Sequence, residues 1–268
     1  AKQAAQTVLS PTIQTRKCDV LLMTAKLEET KAVIAACEQE TGISYVSEFG
    51  RVGVYYDLHI IGGARTFLVQ SEQSKGGPGG AILTAQDGIR ELSPSAIILV
   101  GVGFGMQIKG QRMGDILISH QLLDYELQRV GQDQDGVYII CSRGARADAS
   151  TRLLARIYNG LLNWTEPAAH VGLLLSGDKL VDNVDFREQL RRIEPEAIGG
   201  EMEGAGLYAA AQREHVDWIV IKAVCDWADG KKNYQKTKRQ QVAEVNAAKF
   251  TVHILRQGGL RNLPPASI

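Results

Sequence analysis

Apolar residues along this chain fall into short aliphatic runs separated by longer stretches of helical period. "DVLLMT" (19–24), "AIILVGV" (96–102) and "HVGLLLSG" (170–177) are near-continuous and bounded by polar or glycine residues, as buried strands are. "WIVIKAVCDWAD" (218–229) reads as a strand running into a loop. "GVYYDLHII" (53–61) and "RTFLVQ" (65–70) face each other across "GGAR" as a hairpin, and "DILISHQLLDYEL" (115–127) is extended. Between these lie amphipathic helices over 27–40, 79–92, 149–162 behind a serine cap, 186–193, 203–215 and about 237–256.

Strands alternating with helices, with no break in composition, predict one α/β domain with helices on both faces of a twisted sheet. The hairpin adds antiparallel members, so the sheet is mixed. Ligands of such sheets gather at the carboxyl ends of strands. That rule singles out the loops after residues 24, 70, 102, 176 and 224. Residues 1–17 are polar and weakly patterned and 258–268 are rich in Gly and Pro, so both read as tails around a domain spanning 18–257.

Composition narrows the function classes. Thirty basic residues balance thirty acidic ones, which argues against nucleic-acid binding and against attachment to anionic membranes. No signal core appears at the start, and no stretch reaches the roughly 18 apolar residues of a spanning helix. The expectation is a soluble, cytoplasmic protein. Cys18, Cys37, Cys141 and Cys225 are scattered, without the paired spacing of a zinc site, so no metal is expected.

Five stretches are candidates for chemistry. "LVGVGFGM" (99–106) puts Gly101, Gly103 and Gly105 at a strand end, but the third glycine of a dinucleotide fingerprint is replaced by Met106. No cofactor is therefore expected, and what remains is a tight turn or a close approach of backbone. "QSEQSKGGPGG" (70–80) leads into a helix beside Lys75 without phosphate-loop spacing. "TAKLEET" (24–30) sets Glu28 and Glu29 at a helix start, where the macrodipole favours them. "GGEMEGAG" (199–206) brackets Met202 with Glu201 and Glu203 beside a run of small residues. "KAVCDWADG" (222–230) places Asp226 just past a strand that also contains Lys222, a charge needing a carboxylate or a polar cleft.

Taken in order, these stretches resemble the purine nucleoside phosphorylase/nucleosidase superfamily over roughly 19–256, most closely its methylthioadenosine/S-adenosylhomocysteine nucleosidase branch. "GGEMEGAG" and "KAVCDWAD" carry the likeness, together with "SGD" (176–178). The resemblance implies a three-layer αβα sandwich with a mixed, partly barrel-like central sheet. It implies cleavage of the ribosyl–base bond of a purine nucleoside or nucleotide, adenine-type favoured. In that pattern Asp226 is the general acid at the purine, Glu29 activates water, with Glu28 one position away, and Glu203 binds the ribose hydroxyls above Met202. Gly103, Phe104, Leu180 and Val181 line the base slot, Lys222 stands near the water, and Glu201 is structural. Val102, Leu180 and Cys225 depart from the usual hydroxyl, aromatic and serine residues, which keeps a non-catalytic nucleotide-binding or effector domain as an alternative.

Phosphorylases of this type carry a G-x-P-x-R-like segment after the first strand. "MTAKLEET" offers glutamates there instead, so hydrolysis is expected over phosphorolysis. Lys26, Arg51 and Lys75 are candidates to meet a charged 5′ group. The resemblance also implies a homo-oligomer with a two-fold element, and coupling to a sensor domain is compatible with the linker-like start.

Overall fold

The structure, a computed structural model, describes residues 18–132 and 134–263; the 1–17 segment read as a tail lies outside the described residues. At the centre, β1 (Val20–Thr24), β5 (Ala96–Gly105) and β12 (Asp217–Asp226) run parallel in the order β1–β5–β12, and every residue in them is buried. Strands covered on both faces have no polar side to show, which is why the sequence presents them as near-continuous apolar runs. Each fully buried Leu, Ile or Val contributes about 1.5–3 kcal/mol relative to exposure.

On one side of β1 the sheet continues through parallel β4 (Ala64–Gln70), then antiparallel β3 (Val54–Ile61) and β2 (Val46–Phe49). On the other side β12 pairs antiparallel with β6 (Ile116–Asp124). β6 runs parallel to β10 (Ala169–Ser176), and β10 parallel to β11 (Ala197–Glu201). β11 then returns to β5, pairing antiparallel at Gly199–Gly105 and Gly200–Phe104, so that five strands close into a barrel. Closure depends on bare backbone. A Cβ on Gly103 would sit 2.6 Å from the Gly200 carbonyl oxygen, and one on Gly199 2.6 Å from that of Phe104. The expected mixed, partly barrel-like α/β sheet is the one observed.

Helices α1 (Leu27–Thr41) and α6 (Lys236–Arg256) pack together, as do α2 (Ala81–Leu92) and α5 (Gly204–Glu214). α3 (Thr151–Leu161) starts at the expected serine cap, Ser150, whose hydroxyl accepts from the Leu153 N–H, and α4 (Val184–Ile193) completes the set. The sequence reading missed five short strands. β2, β7 (Gln128–Gln132), β8 (Tyr138–Ser142) and β9 (Arg146–Asp148) lie in polar or exposed stretches, and β11 is disguised by Gly199 and Gly200. The packed chain also runs past 257: Leu260 and Leu263 are buried, and the Asn262 N–H donates to Asp19 Oδ1 at 2.8 Å.

No helix among the described residues is long and apolar enough to cross a membrane. Nor do three or more His, Cys, Asp or Glu side chains among the described residues cluster as a metal site.

Candidate active site

The strand ends singled out from sequence converge on one pocket. β1 and the start of α1 bring Lys26 and Glu29; the loop after β4 brings Gln73; β5 brings Val102, Gly103 and Phe104. The loop after β10 brings Lys179, Leu180 and Val181, and the end of β12 brings Cys225, Asp226 and, farther on, Lys232. Gly200, Glu201, Met202 and Glu203 come from β11 and the turn into α5, and Gln240 from α6.

Glu29 and Glu28 part company. Glu28 faces solvent, while Glu29 is 2% exposed and lines the pocket. Its Oε2 accepts from the Ala25 N–H at 2.9 Å and the Lys26 N–H at 3.1 Å, reaching back over the helix start as a capping glutamate does. Its Oε1 accepts from the Val102 N–H at 2.9 Å across the gap to β5. Gly101 makes room for this: a Cβ there would lie 2.5 Å from Glu29 Oε1. The glycine strand end therefore serves to seat a carboxylate. Burial raises the Glu29 carboxyl above the usual glutamate range, against the pull of nearby Lys222.

The two glutamates around Met202 divide their work. Glu201 Oε2 accepts from the Glu203 and Gly204 N–H groups at 2.9 and 2.8 Å, capping α5. Glu203 Oε2 accepts from Lys222 Nζ at 2.8 Å, and that ammonium lies 3.7 Å from Glu201 Oε2. Glu203 Oε1 is buried and has no hydrogen-bond partner among the described residues. A buried carboxylate oxygen left bare is costly unless a ligand hydroxyl completes it. Burial also raises the Glu201 carboxyl.

Lys222 departs from its expected place. It is 1% exposed and does not line the pocket; it stands behind Glu203, inside the barrel wall. Burial works to lower its pKa, but the charges of Glu203, Glu201 and Glu29 outweigh it and hold the ammonium above its ordinary range. One ammonium thus serves three buried carboxylates.

Asp226 is 4% exposed at the last position of β12, where a register shift after Val224 sets it opposite Phe104. The Ala228 N–H donates to its Oδ1 at 2.9 Å, while the Cys225 thiol and Lys232 Nζ both lie 3.3 Å from Oδ2. Cys225 so supplies a hydrogen bond to Asp226, although burial and the Asp226 charge push its thiol up and keep it neutral. Arg187, buried on α4, braces the following loop by donating to the Trp227 carbonyl at 2.8 Å.

Met202, Gly103, Phe104 and Val181 line the pocket as read from sequence, as does Leu180, which is 62% exposed at its rim. Two of the three cations expected near a 5′ group lie elsewhere. The Arg51 backbone N–H bonds Glu91, and Arg51 does not line the pocket; Lys75 is tied to Asp124 at 2.7 Å. Lys26 is in the lining, joined by Lys179 and Lys232, which the sequence reading missed. "DGKKNYQKTKR" (229–239) was the available signal, a basic run directly after the acid-bearing strand end.

Known proteins resemble this chain in sequence and in fold. A "Death domain-containing ATP nucleosidase" of Amphimedon queenslandica is 34% identical over 265 residues, covering 90% of this chain. The chain spans about half of that relative's length, 49%. A 5′-methylthioadenosine/S-adenosylhomocysteine nucleosidase of Staphylococcus haemolyticus is 26% identical over 74% of this chain and 87% of its own. Among solved structures, the Neisseria meningitidis enzyme of the same name, in complex with methylthio-immucillin-A, shares the fold with a TM-score of 0.73 at 23% identity, covering 89% of this chain and 98% of that one. The barrel closed by β11, the carboxylates gathered at strand ends and a family match running over residues 19–256 all lead to the same place: this chain belongs to the phosphorylase superfamily.

Proposed function

We propose that this chain is a purine N-glycosidase that hydrolyses the ribosyl–base bond of an adenine-type nucleoside or nucleotide. The observation that carries it is the convergence of Glu29, Glu203 and Asp226, from three separate strand ends, on one pocket in which Glu203 keeps a bare, buried oxygen. The named activities of the relatives, an ATP nucleosidase and methylthioadenosine nucleosidases, support the same reaction and the same base.

The chemistry follows from the placement. Departure of a purine anion is difficult, and a proton delivered to N7 lets the base leave neutral. Asp226 lines the pocket together with Phe104, Leu180 and Val181 and is the general acid in this scheme. As the C1′–N9 bond breaks, positive charge develops on the sugar, and the buried carboxylates of Glu203 and Glu29 stabilise it in a site sheltered from water. The free Glu203 oxygen accepts from the ribose 2′ and 3′ hydroxyls, with Met202 beneath the ring. Glu29 accepts a proton from the attacking water, and the water oxygen bonds to C1′. The proton Glu29 gains balances the one Asp226 gave.

Hydrolysis rather than phosphorolysis follows from charge. A phosphate dianion at the nucleophile position would meet Glu29, Glu203 and Glu201, which share the buried ammonium of Lys222, with Lys26 acting more weakly on Glu29. Water meets no such repulsion. The test is chromatography of base released from adenosine, methylthioadenosine, AMP and ATP, each with and without phosphate. Free adenine without phosphate is expected. A strict phosphate requirement would make the chain a phosphorylase, and binding without release would make it a nucleotide-binding domain.

A homo-oligomer in the cytoplasm, coupled to a sensor region, completes the proposal. The Amphimedon queenslandica relative, about twice as long and named for a Death domain, supports the coupling. Light scattering of the purified chain checks the oligomer.

A further inference from the structure

We infer that the substrate carries a 5′ phosphate chain, received by Lys26 with Gln73 and Gln240; this rests on the N-glycosidase reading above. The pocket lining divides into parts with different chemistry. Phe104, Leu180, Val181 and Asp226 surround the base, and Met202 and Glu203 meet the ribose. Val102, Gly103, Gly200, Glu201 and Cys225 belong to the strand ends that form the floor. Glu29, assigned to the water, and the ion-paired Lys179 and Lys232 are also in the lining, which leaves for the 5′ substituent Lys26 at the start of α1, Gln73 in the loop after β4 and Gln240 in the second turn of α6.

That wall is wholly polar. A thioether or hydrocarbon 5′ group would strip water from one ammonium and two amides and return no hydrogen bond, which costs affinity. A phosphate returns charge-assisted hydrogen bonds to all three. The state of the side chains points the same way. Lys179 is paired with Glu126 and Lys232 with Asp226, but Lys26 makes no salt bridge among the described residues. Gln73 and Gln240 make no side-chain hydrogen bond among the described residues. Glu203 and Glu201 each keep one buried carboxylate oxygen without a hydrogen-bond partner among the described residues in the same pocket, which supports a site completed by a ligand.

The chain beyond Asp226 extends the positive field outward. Between the two pocket-lining residues Lys232 and Gln240, "NYQKTKR" (233–239) adds Lys236, Lys238 and Arg239, and Lys231 precedes them. Lys236 and Lys238 lie in the first turn of the 21-residue helix α6, whose N-terminus has no side-chain cap. Its N–H groups and dipole favour an anion there, suiting outer phosphates of the chain. The other acids near Lys26 are Glu28, which faces solvent, and Glu244, one turn beyond Gln240. Burial, then the charge of Glu29, push the Glu244 carboxyl up, and the charge of Lys26 opposes the rise.

The experiment has two arms. Equilibrium titration of Asp226→Asn protein with ATP, AMP, adenosine and methylthioadenosine reads binding without turnover; kcat/KM of the wild type on the same panel reads catalysis. ATP is expected to bind at least tenfold tighter than adenosine and methylthioadenosine. Lys26→Ala, its melting curve checked against wild type, is expected to cut the ATP-to-adenosine ratio of kcat/KM by at least tenfold, with Lys26→Arg restoring most of it. Adenosine or methylthioadenosine binding as tightly as ATP, or a ratio unchanged in folded Lys26→Ala, overturns the inference. Absence of base release from every substrate overturns the N-glycosidase reading instead, and the binding arm still decides this one.

Discussion

At the inner end of the pocket, three backbone N–H groups hold Glu29, two more hold Glu201, and Lys222 anchors Glu203. On the wall formed by Lys26, Gln73 and Gln240, neither glutamine head group is held and the lysine has no salt bridge among the described residues. The charges of the first region are buried and tied to backbone N–H groups or to Lys222, so a change there leaves a buried group unpaired. The second is half in water and tolerates change. In the proposed scheme reaction chemistry resides in backbone-held groups at strand ends, and substrate choice in replaceable side chains of a helix start, a loop and a second helical turn. Relatives named for methylthioadenosine and for ATP are what such a division allows.

The sharpest break in this comparison comes from the inner end. Asp226→Asn is expected to lower kcat about 10²–10⁴-fold, the usual range for a lost general acid, with the fold intact by circular dichroism. Base release near the wild-type rate would take Asp226 out of that role. Next is Lys222→Met, which leaves Glu203 and its neighbours without their shared ammonium. A loss of about 3–5 kcal/mol in stability is expected from denaturant unfolding, as for other broken buried ion pairs. A loss within experimental error would mean that the carboxylates are already neutral without the lysine.

Smaller effects separate recognition from chemistry. Glu203→Ala removes an acceptor of the sugar hydroxyls, so the preference for ribo- over 2′-deoxyribo-substrates should fall about tenfold to a hundredfold, the worth of roughly 1.5–3 kcal/mol in a hydrogen bond to a charged group. Equal discrimination before and after the change would reject that assignment. Smaller still is a displacement in pH. Glu29 must be ionised to take a proton from water, and burial raises its pKa above 4.5. Activity is therefore lost as pH falls through this raised value, placing the acid limb of kcat/KM above the ordinary glutamate range. A limb at or below 4.5 would show that Glu29 is not the base.

Much of this molecule was legible beforehand, for definite reasons. Fully buried parallel strands such as β5 and β12 cannot hide, because every position in them is apolar or glycine apart from Asp217, Lys222 and Asp226. The rule that ligands collect at strand carboxyl ends then selected loops that all contribute to the pocket. What stayed hidden has equally local causes. β11 escaped because Gly199 and Gly200, required for close barrel packing, carry no strand signal. The choice between Glu28 and Glu29 turned on helix phase, which spacing alone did not decide. Lys222, read as a charge needing a carboxylate or a polar cleft, meets carboxylates: its position on β12 points it at Glu203 behind the lining, away from the place near the water that the resemblance implied. Lys75 looked free, and is consumed by Asp124 through a contact 49 residues away.

The central claim is that water, activated at Glu29, attacks C1′ while Asp226 releases the base. Single-turnover cleavage of ATP in phosphate-free buffer made with ¹⁸O-water, read by mass spectrometry of the sugar product, tests it directly. One ¹⁸O on the anomeric carbon alongside free adenine, lost in Glu29→Gln, is the predicted result. Adenine that appears only after phosphate is added, with a sugar product phosphorylated at C1 and still bearing the 5′ triphosphate, would contradict the account.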